Sequence, residues 1–277
     1  MFFSVIIPTC NRNELLAKCL AQLQPGVQTL KGVDYEIIVT DDSTGEGSAA
    51  IIAEQFPFVQ WVAGPRRGPA ANRNNGARLA KGEWLVFLDD DCEPDRELLE
   101  AYEKAILTQN SCWVFEGCIY STDEMDPLLI SPVNLTGGYL WSCNFLIKRD
   151  IFFEIGLFDE NFRYPNLEDN DLRERIKLQN IAIHFVKTAK VFHAPRQMPK
   201  PKQFARYHES WLYFYHKYHQ QKTIKDLLVT IIKTRLVNIK AKKKSHKSVQ
   251  ALWYLMLELI YTVWESRKWH IVSKKVK

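Results

Sequence analysis

The chain of 277 residues lacks the glycine signatures that hold phosphate after a first β-strand, since neither G-x-G-x-x-G nor G-x-x-x-x-G-K-[ST] follows residues 4–7. A dinucleotide-binding fold and a P-loop are therefore disfavoured, because both need glycines that let backbone amides close on phosphate. The six cysteines (Cys10, Cys19, Cys92, Cys112, Cys118, Cys143) contain no C-x-x-C pair. At that spacing thiol ligation of a metal is not expected. With no secretory leader ahead of the first strand, a reducing, cytoplasmic compartment is the simpler expectation. The longest apolar stretch, 251–263, is interrupted by Glu258 and falls short of the ~20 residues that span a bilayer, so no transmembrane helix is expected.

What is present reads as ordinary globular protein, 46% hydrophobic and 25% charged. The net charge of +5 is unevenly placed: the tail from Arg196 onward holds most of the surplus, including Lys240, Lys242, Lys243, Lys244 and Lys247. That asymmetry points to an anionic surface near the tail. Nucleic acid is a poorer explanation, because no nucleic-acid-binding motif accompanies the charge.

Strand and helix patterns alternate in the first half. Residues 4–7 form a short β-branched run ended by Pro8-Thr9, as a buried parallel strand would. Asn11 then reads as a helix N-cap with Glu14 three residues on, and Leu15, Leu16, Cys19, Leu20 and Leu23 make the buried stripe. Strands are expected at 35–40, 59–63 and 83–88, and helices at 48–55 and 70–80. Such a series implies a mostly parallel sheet with right-handed crossovers. Ligands bind beyond the carboxyl ends of strands in sheets of this kind. Three polar segments fall there: Pro8-Thr9, Asp41-Asp42-Ser43 and Asp89-Asp90-Asp91. The carboxylate triplet suits a hard divalent cation, Mg2+ or Mn2+, whose shell is completed by water and substrate phosphates.

Four motifs in order, Val5-Ile6-Ile7-Pro8-Thr9-Cys10-Asn11-Arg12, Val39-Thr40-Asp41-Asp42-Ser43, Gly68-Pro69-Ala70-Ala71-Asn72-Arg73-Asn74 and Phe87-Leu88-Asp89-Asp90-Asp91, resemble glycosyltransferase family 2, the inverting enzymes of GT-A fold. The likeness extends through Phe158-Asp159-Glu160-Asn161-Phe162 and Glu168-Asp169-Asn170-Asp171-Leu172 to His193. Around 204–218 there is a looser likeness to rhamnosyltransferase-like members. The resemblance implies an α/β GT-A catalytic domain over 1–200, with a nucleotide-binding half (1–110) and an acceptor half (111–200), followed by a helical basic extension over 201–277.

By the same resemblance Asp42 would bind the nucleotide base, with Pro8 and Thr9 beside it, and Arg73 would approach the base or diphosphate. Asp89 would contact ribose, with Asp90 close by, while Asp91 would bind the metal and His193 complete its shell. Asp169 would be the general base that deprotonates the acceptor, placed by Glu168, although Asn166-Leu167 stands where the family often has glycine. Gly138, Trp141 and Asn144 would belong to the acceptor pocket. The implied partners are a nucleoside-diphosphate sugar and a glycan or lipid-linked acceptor hydroxyl. The Q-x-x-R-W match and multiple spans of processive polysaccharide synthases are missing, so single addition is preferred.

Two other readings stay open on these residues. A sugar-nucleotide pyrophosphorylase should carry a glycine-rich loop with a lysine after the first strand. A non-catalytic sugar-nucleotide-binding partner could retain Asp42 and Asp91 without using Asp169. In the tail, 223–240 and 251–264 read as helices, with His208, His216 and His219 on an aromatic helix before them. A basic amphipathic tail of this kind suits peripheral membrane contact, or packing within the protein.

Overall fold

The computed structural model describes residues 2–45, 47–122, 126–218, 220–242 and 247–269. In chain order its elements are β1 (Phe3–Thr9), α1 (Asn13–Gln22), β2 (Tyr35–Asp41), α2 (Ala49–Gln55), β3 (Val59–Ala63), α3 (Pro69–Leu79), β4 (Trp84–Leu88), β5 (Cys92–Pro94), α4 (Leu98–Thr108) and β6 (Val114–Tyr120). There follow β7 (Leu129–Ile130), β8 (Asn144–Lys148), α5 (Arg149–Glu154), α6 (Glu168–Leu178), β9 (Ile183–His193), β10 (Arg196–Gln197), α7 (Pro201–Lys217), α8 (Ile224–Ala241) and α9 (Ser248–Ser266). They divide into two compact units: 1–121, 132–163 and 168–194 in the first, and 122–131, 164–167 and 195–277 in the second.

The first unit is built on an eight-stranded sheet ordered β3-β2-β1-β4-β8-β6-β9-β5. The β3-β2-β1-β4 half is parallel, as the alternating sequence pattern implies. Beyond it β8 runs antiparallel to both β4 and β6. Alternation along each strand sorts side chains onto two faces. Phe3, Val5 and Ile7 of β1 pack with Leu16, Cys19 and Leu20 of α1 and with Leu98, Leu99 and Tyr102 of α4. Ile6, Leu85 and Phe87 pack on the other face with Ala70 and Ala77 of α3, Phe152 of α5, and Leu172 and Ile176 of α6. Burying each such Leu, Ile or Phe contributes roughly 1.5–3 kcal/mol. Phe87, Phe145, Phe152 and Phe158 form one ring cluster, with Phe87 and Phe145 stacked at 4.8 Å. It shares a core with Leu172 and Ile176 of α6, the helix whose first turn carries Glu168 and Asp169.

Helix α1 starts one residue later than its capping signal implies, with Arg12 in the cap position. Asn11 takes a left-handed conformation (φ 56), which asparagine tolerates better than most residues. Its backbone N–H donates to Ser43 Oγ at 2.7 Å and its side chain accepts from Thr44 N at 3.4 Å, so it ties the β1 and β2 loops together instead of capping.

Gly68 has φ +100 just before Pro69 opens α3, and a Cβ there would lie 2.3 Å from the Arg163 carbonyl oxygen. Gly68→Ala is expected to cost about 2 kcal/mol or more, from backbone strain plus the collision with a carbonyl that a loop holds in place. A fall in the urea midpoint at unchanged slope would be the signature. Wild-type stability would show that the loop at Arg163 yields without cost.

In the second unit β10 pairs antiparallel with β7, which draws 122–131 into a unit otherwise made of the tail. Helices α7, α8 and α9 enclose a small core of Leu212, Leu227, Ile231, Leu255 and Trp269. Thr223 and Asp226 form a capping box at the start of α8. His208 and His216 lie on α7, while His219, Lys243 and Lys244 fall outside the described residues. Among the described residues no helix is long and apolar enough to cross a membrane.

Candidate active site

The carboxyl ends of β1, β2 and β4 lie side by side because Thr9 pairs with Asp41 in register and β1 runs parallel to β4. Asn72 on α3 fastens this edge: its amide donates to Thr40 O at 2.9 Å and Thr9 O at 3.4 Å, and its carbonyl accepts from Thr40 Oγ1 at 2.6 Å. The two aspartates after β2 diverge. Asp41 is buried and accepts from Ser43 N, from Ser48 N and Oγ, and from Trp61 Nε1. Burial acts against its ionisation, yet the bonds from Ser43 and Ser48 outweigh it and hold the carboxyl below the ordinary range. Asp42 is half-buried and accepts from Arg66 N at 2.7 Å. Burial leaves its pKa raised.

The triplet after β4 spreads its carboxylates in three directions. Asp89 pairs with Arg73 at 2.6 Å. Asp90 points inward to Thr9 Oγ1 at 2.7 Å and Arg12 Nη1 at 2.9 Å, and burial pushes it up to about 7 against the pull of Arg12. Asp91 receives Arg12 Nη1 at 3.0 Å on one oxygen and faces His193 Nε2 at 3.2 Å with the other. Strand β9 supplies His193 because Cys92 on β5 pairs with it in register. Arg12 was part of a sequence motif without a role, and the structure makes it a bridge between two of the three aspartates.

His193 Nδ1 lies 3.0 Å from the Ala194 carbonyl, which only accepts, so this nitrogen carries the proton in the neutral ring. Nε2 then directs a lone pair at a carboxylate oxygen, an arrangement that asks for a cation between them. The donor set therefore fits a divalent metal held by Asp91 and His193. Cys92 Sγ lies within 4.8 Å of both. It is turned to the Cys143 carbonyl, and burial raises its pKa well above the usual thiol range.

Arg73 is 4% exposed and bridges Asp89 to Glu168 Oε1 at 3.0 Å, with its guanidinium 5.7 Å from the Phe158 ring centroid. Burial opposes its charge, but the two carboxylates win and its pKa rises. Glu168 is buried and Asp169 half-buried, adjacent in the first turn of α6. Asp169 accepts from Asn170 N at 2.8 Å and, more loosely, from Ser142 N at 3.4 Å. Burial raises the pKa of both acids, with Arg73 pulling each back down.

The loop from Asn134 to Trp141 is organised by a residue that its sequence context left unmarked. The buried carboxylate of Glu116 on β6 accepts the backbone N–H groups of Gly138, Tyr139 and Leu140 and the side chain of Asn134. Gly138 also offers its carbonyl to Arg173 at 2.6 Å, and a Cβ at this glycine would meet open space. Trp141 is half-buried and packs against Tyr139 at 4.7 Å.

Three expectations need correction in geometry. Asn144 does not face an acceptor: it is wholly buried, donates to the Cys118 and Ala189 carbonyls at 3.0 Å each, and accepts from Tyr102 Oη at 2.7 Å. Its polarity fastens β6, β8 and β9 together. Pro8 is buried within β1 and the Thr9 hydroxyl is spent on Asp90, so neither side chain lies open to a base. Arg73 has both terminal nitrogens committed to protein carboxylates and stands between the two halves of the site, not out toward a nucleotide.

A family profile described as Glycosyl transferase family 2 matches residues 4–156. The chain is 31% identical to an uncharacterized glycosyltransferase of Haemophilus influenzae, over 61% of this chain and 59% of that one. It is 37% identical to the GalNAc(5)-diNAcBac-PP-undecaprenol beta-1,3-glucosyltransferase of Campylobacter jejuni, over 32% of this chain and 29% of the relative. Thus the chain spans well under two thirds of these relatives. Among solved structures, that of GalNAc-T7 with UDP, GalNAc and Mn2+ superposes with a TM-score of 0.58 at 20% identity, covering 76% of this chain and 48% of that one. At that identity the likeness shows the GT-A fold.

Proposed function

The chain belongs to glycosyltransferase family 2, and on that premise we propose that it transfers a single sugar from a nucleoside-diphosphate sugar to an acceptor hydroxyl with inversion. The observation that carries this reading is the juxtaposition of two carboxylate systems, Asp89-Asp90-Asp91 and Glu168-Asp169, joined through Arg73. The undecaprenol-linked glycan that the Campylobacter jejuni relative is named for supports a glycan or lipid-linked acceptor. The Mn2+ that accompanies UDP in the GalNAc-T7 structure supports manganese as a fitting cation. Peripheral membrane contact through the basic tail belongs to the same proposal.

In the proposed step Asp169 takes the acceptor proton while the acceptor oxygen attacks the anomeric carbon and the C–O bond to the diphosphate breaks in line. Burial favours this base, because a carboxylate with a raised pKa holds a proton better than a solvated one. Glu168 and Arg73 fix the turn on which it stands. Asp42, half-buried just beyond β2, is the side chain we assign to accept from the nucleotide base. A divalent cation held by Asp91 and His193 would neutralise charge developing on the departing diphosphate.

The deciding experiment is a thermal-shift panel of UDP, dTDP, GDP and CDP and their sugars, with Mn2+, Mg2+ or EDTA. One nucleotide is expected to raise Tm only with metal present, by roughly 2.7 kcal/mol of linkage free energy at a hundredfold excess over Kd. In Asp91→Ala that metal-dependent gain should vanish. If no nucleotide at millimolar concentration shifts the wild type, the donor-site assignment is wrong.

A further inference from the structure

Helix α9 is inside out by the ordinary rule for a surface helix. Beside Ala251 and Leu255 its buried side carries Glu258, fully buried, with Thr262, Glu265 and Ser266. Its solvent side carries Val249, Leu252, Trp253, Met256, Ile260, Val263 and Trp264, with Trp253 60% and Ile260 55% exposed. At 3.6 residues per turn these seven fall within about one third of the helix circumference and run its full length. The arc bears no acidic residue.

The rotation of the helix is fixed from within. Glu258 accepts Arg235 of α8 through two nitrogens at 2.9 and 3.1 Å and meets His208 Nε2 of α7 at 2.8 Å. Turning the apolar arc inward would strip a buried carboxylate of both partners, a strongly unfavourable exchange. The exposed apolar face is thus a built feature.

Charge identifies what covers it. Residues 195–277 hold 19 Lys and Arg against 4 Asp and Glu, whereas residues 1–194 hold 18 against 28. Cations stand at the C-terminal end of the apolar arc, with Lys268 Nζ 3.6 Å and Lys202 Nζ 4.9 Å from the centre of the Trp264 ring and Arg267 exposed, and the neighbouring α8 exposes Lys225, Lys233 and Lys240. Tryptophans beside lysines whose stems lie along apolar surface are the composition of a helix lying in a bilayer interface. A second copy of the chain fits less well, since pairing these faces would bring two strongly basic surfaces together.

We infer that the outer face of α9 seats the protein on an anionic lipid bilayer, with Leu252, Trp253, Met256 and Ile260 at acyl depth and the lysines at the headgroups. This rests on and deepens the peripheral contact proposed above for the basic tail, naming the helix face and the lipid class, and does not depend on the transfer chemistry. The test uses the full chain with vesicles of phosphatidylcholine alone or mixed with phosphatidylglycerol. Cosedimentation is expected with the anionic vesicles, weakened by salt. In a Trp253→Glu/Ile260→Glu double variant the partition coefficient should fall about tenfold or more. Brominated acyl chains should quench wild-type tryptophan fluorescence, a measurement that does not depend on the variant folding. Nucleotide thermal shifts measured without lipid should be the same in wild type and variant, which separates this inference from the donor site. Wild-type protein left in the supernatant, or bound without quenching, overturns the inference. So does light scattering that finds a dimer which the double variant disperses.

Discussion

Asp169→Asn is expected to lower kcat by about 10²–10⁴-fold, the range that a positioned general base supplies, while leaving nucleotide affinity within a few-fold. Asparagine keeps the shape, and its one amide oxygen can still accept from Asn170 N while the looser bond from Ser142 N is given up, so the turn of α6 should survive. What it cannot do is take the proton. The wild-type pH profile gives an independent check. Burial raises the pKa of Asp169, and only the ionised form is a base, so activity should fall on the acid side with a midpoint above the ordinary aspartate value of ~4. Turnover by Asp169→Asn at the wild-type rate would remove the general-base role and leave a binding protein as the better description.

Arg73→Met is expected to destabilise the first unit by about 3–5 kcal/mol, the cost typical of leaving buried charge without its partner. Methionine fills much of the volume beside Phe158, so the loss would be electrostatic and not a cavity. The pH dependence distinguishes the two. Glu168 already has a folded pKa raised above its unfolded value, so the folded state holds its proton longer, and this group's contribution declines as pH rises from the unfolded toward the folded pKa. Removing the guanidinium lifts the folded pKa further. The variant's deficit, read from urea unfolding, should therefore be larger at pH 7.5 than at pH 5. A deficit independent of pH would mean that the arginine acts mainly through packing on Phe158.

The central parallel strands β1 and β4 were legible because they are buried on both faces and so read as unbroken apolar runs, Val5-Ile6-Ile7 and Trp84-Leu85-Val86-Phe87-Leu88. Position along β2 and β4 put Asp42 and the aspartate triplet at one edge. The partners of the acids were not legible, since Arg73 reaches Glu168 and Arg12 reaches Asp90 across long stretches of chain, with no local signature. Asn144 misled for a related reason. An amide between aromatic residues looks like sugar-binding chemistry, and only the sheet order shows that it fills hydrogen bonds between strands. Glu116 stayed invisible because an acid within a strand ordinarily faces water, whereas this one gathers the amides of a loop. The outward face of α9 was also hidden, because a period of 3.6 marks an apolar side without saying which way it turns.

The place of β8 in the sheet has a consequence for how the protein is made. Strand β4 ends in the carboxylate triplet, yet its outer edge stays unpaired until Asn144–Lys148 has been synthesised and laid antiparallel beside it. Until then the nascent chain carries an open apolar strand edge, the kind of surface on which chains aggregate. The later half of the first unit is thus the earlier half's cover during synthesis: the stretch that brings Asp169 to the site is the one whose arrival makes the aspartates safe to expose.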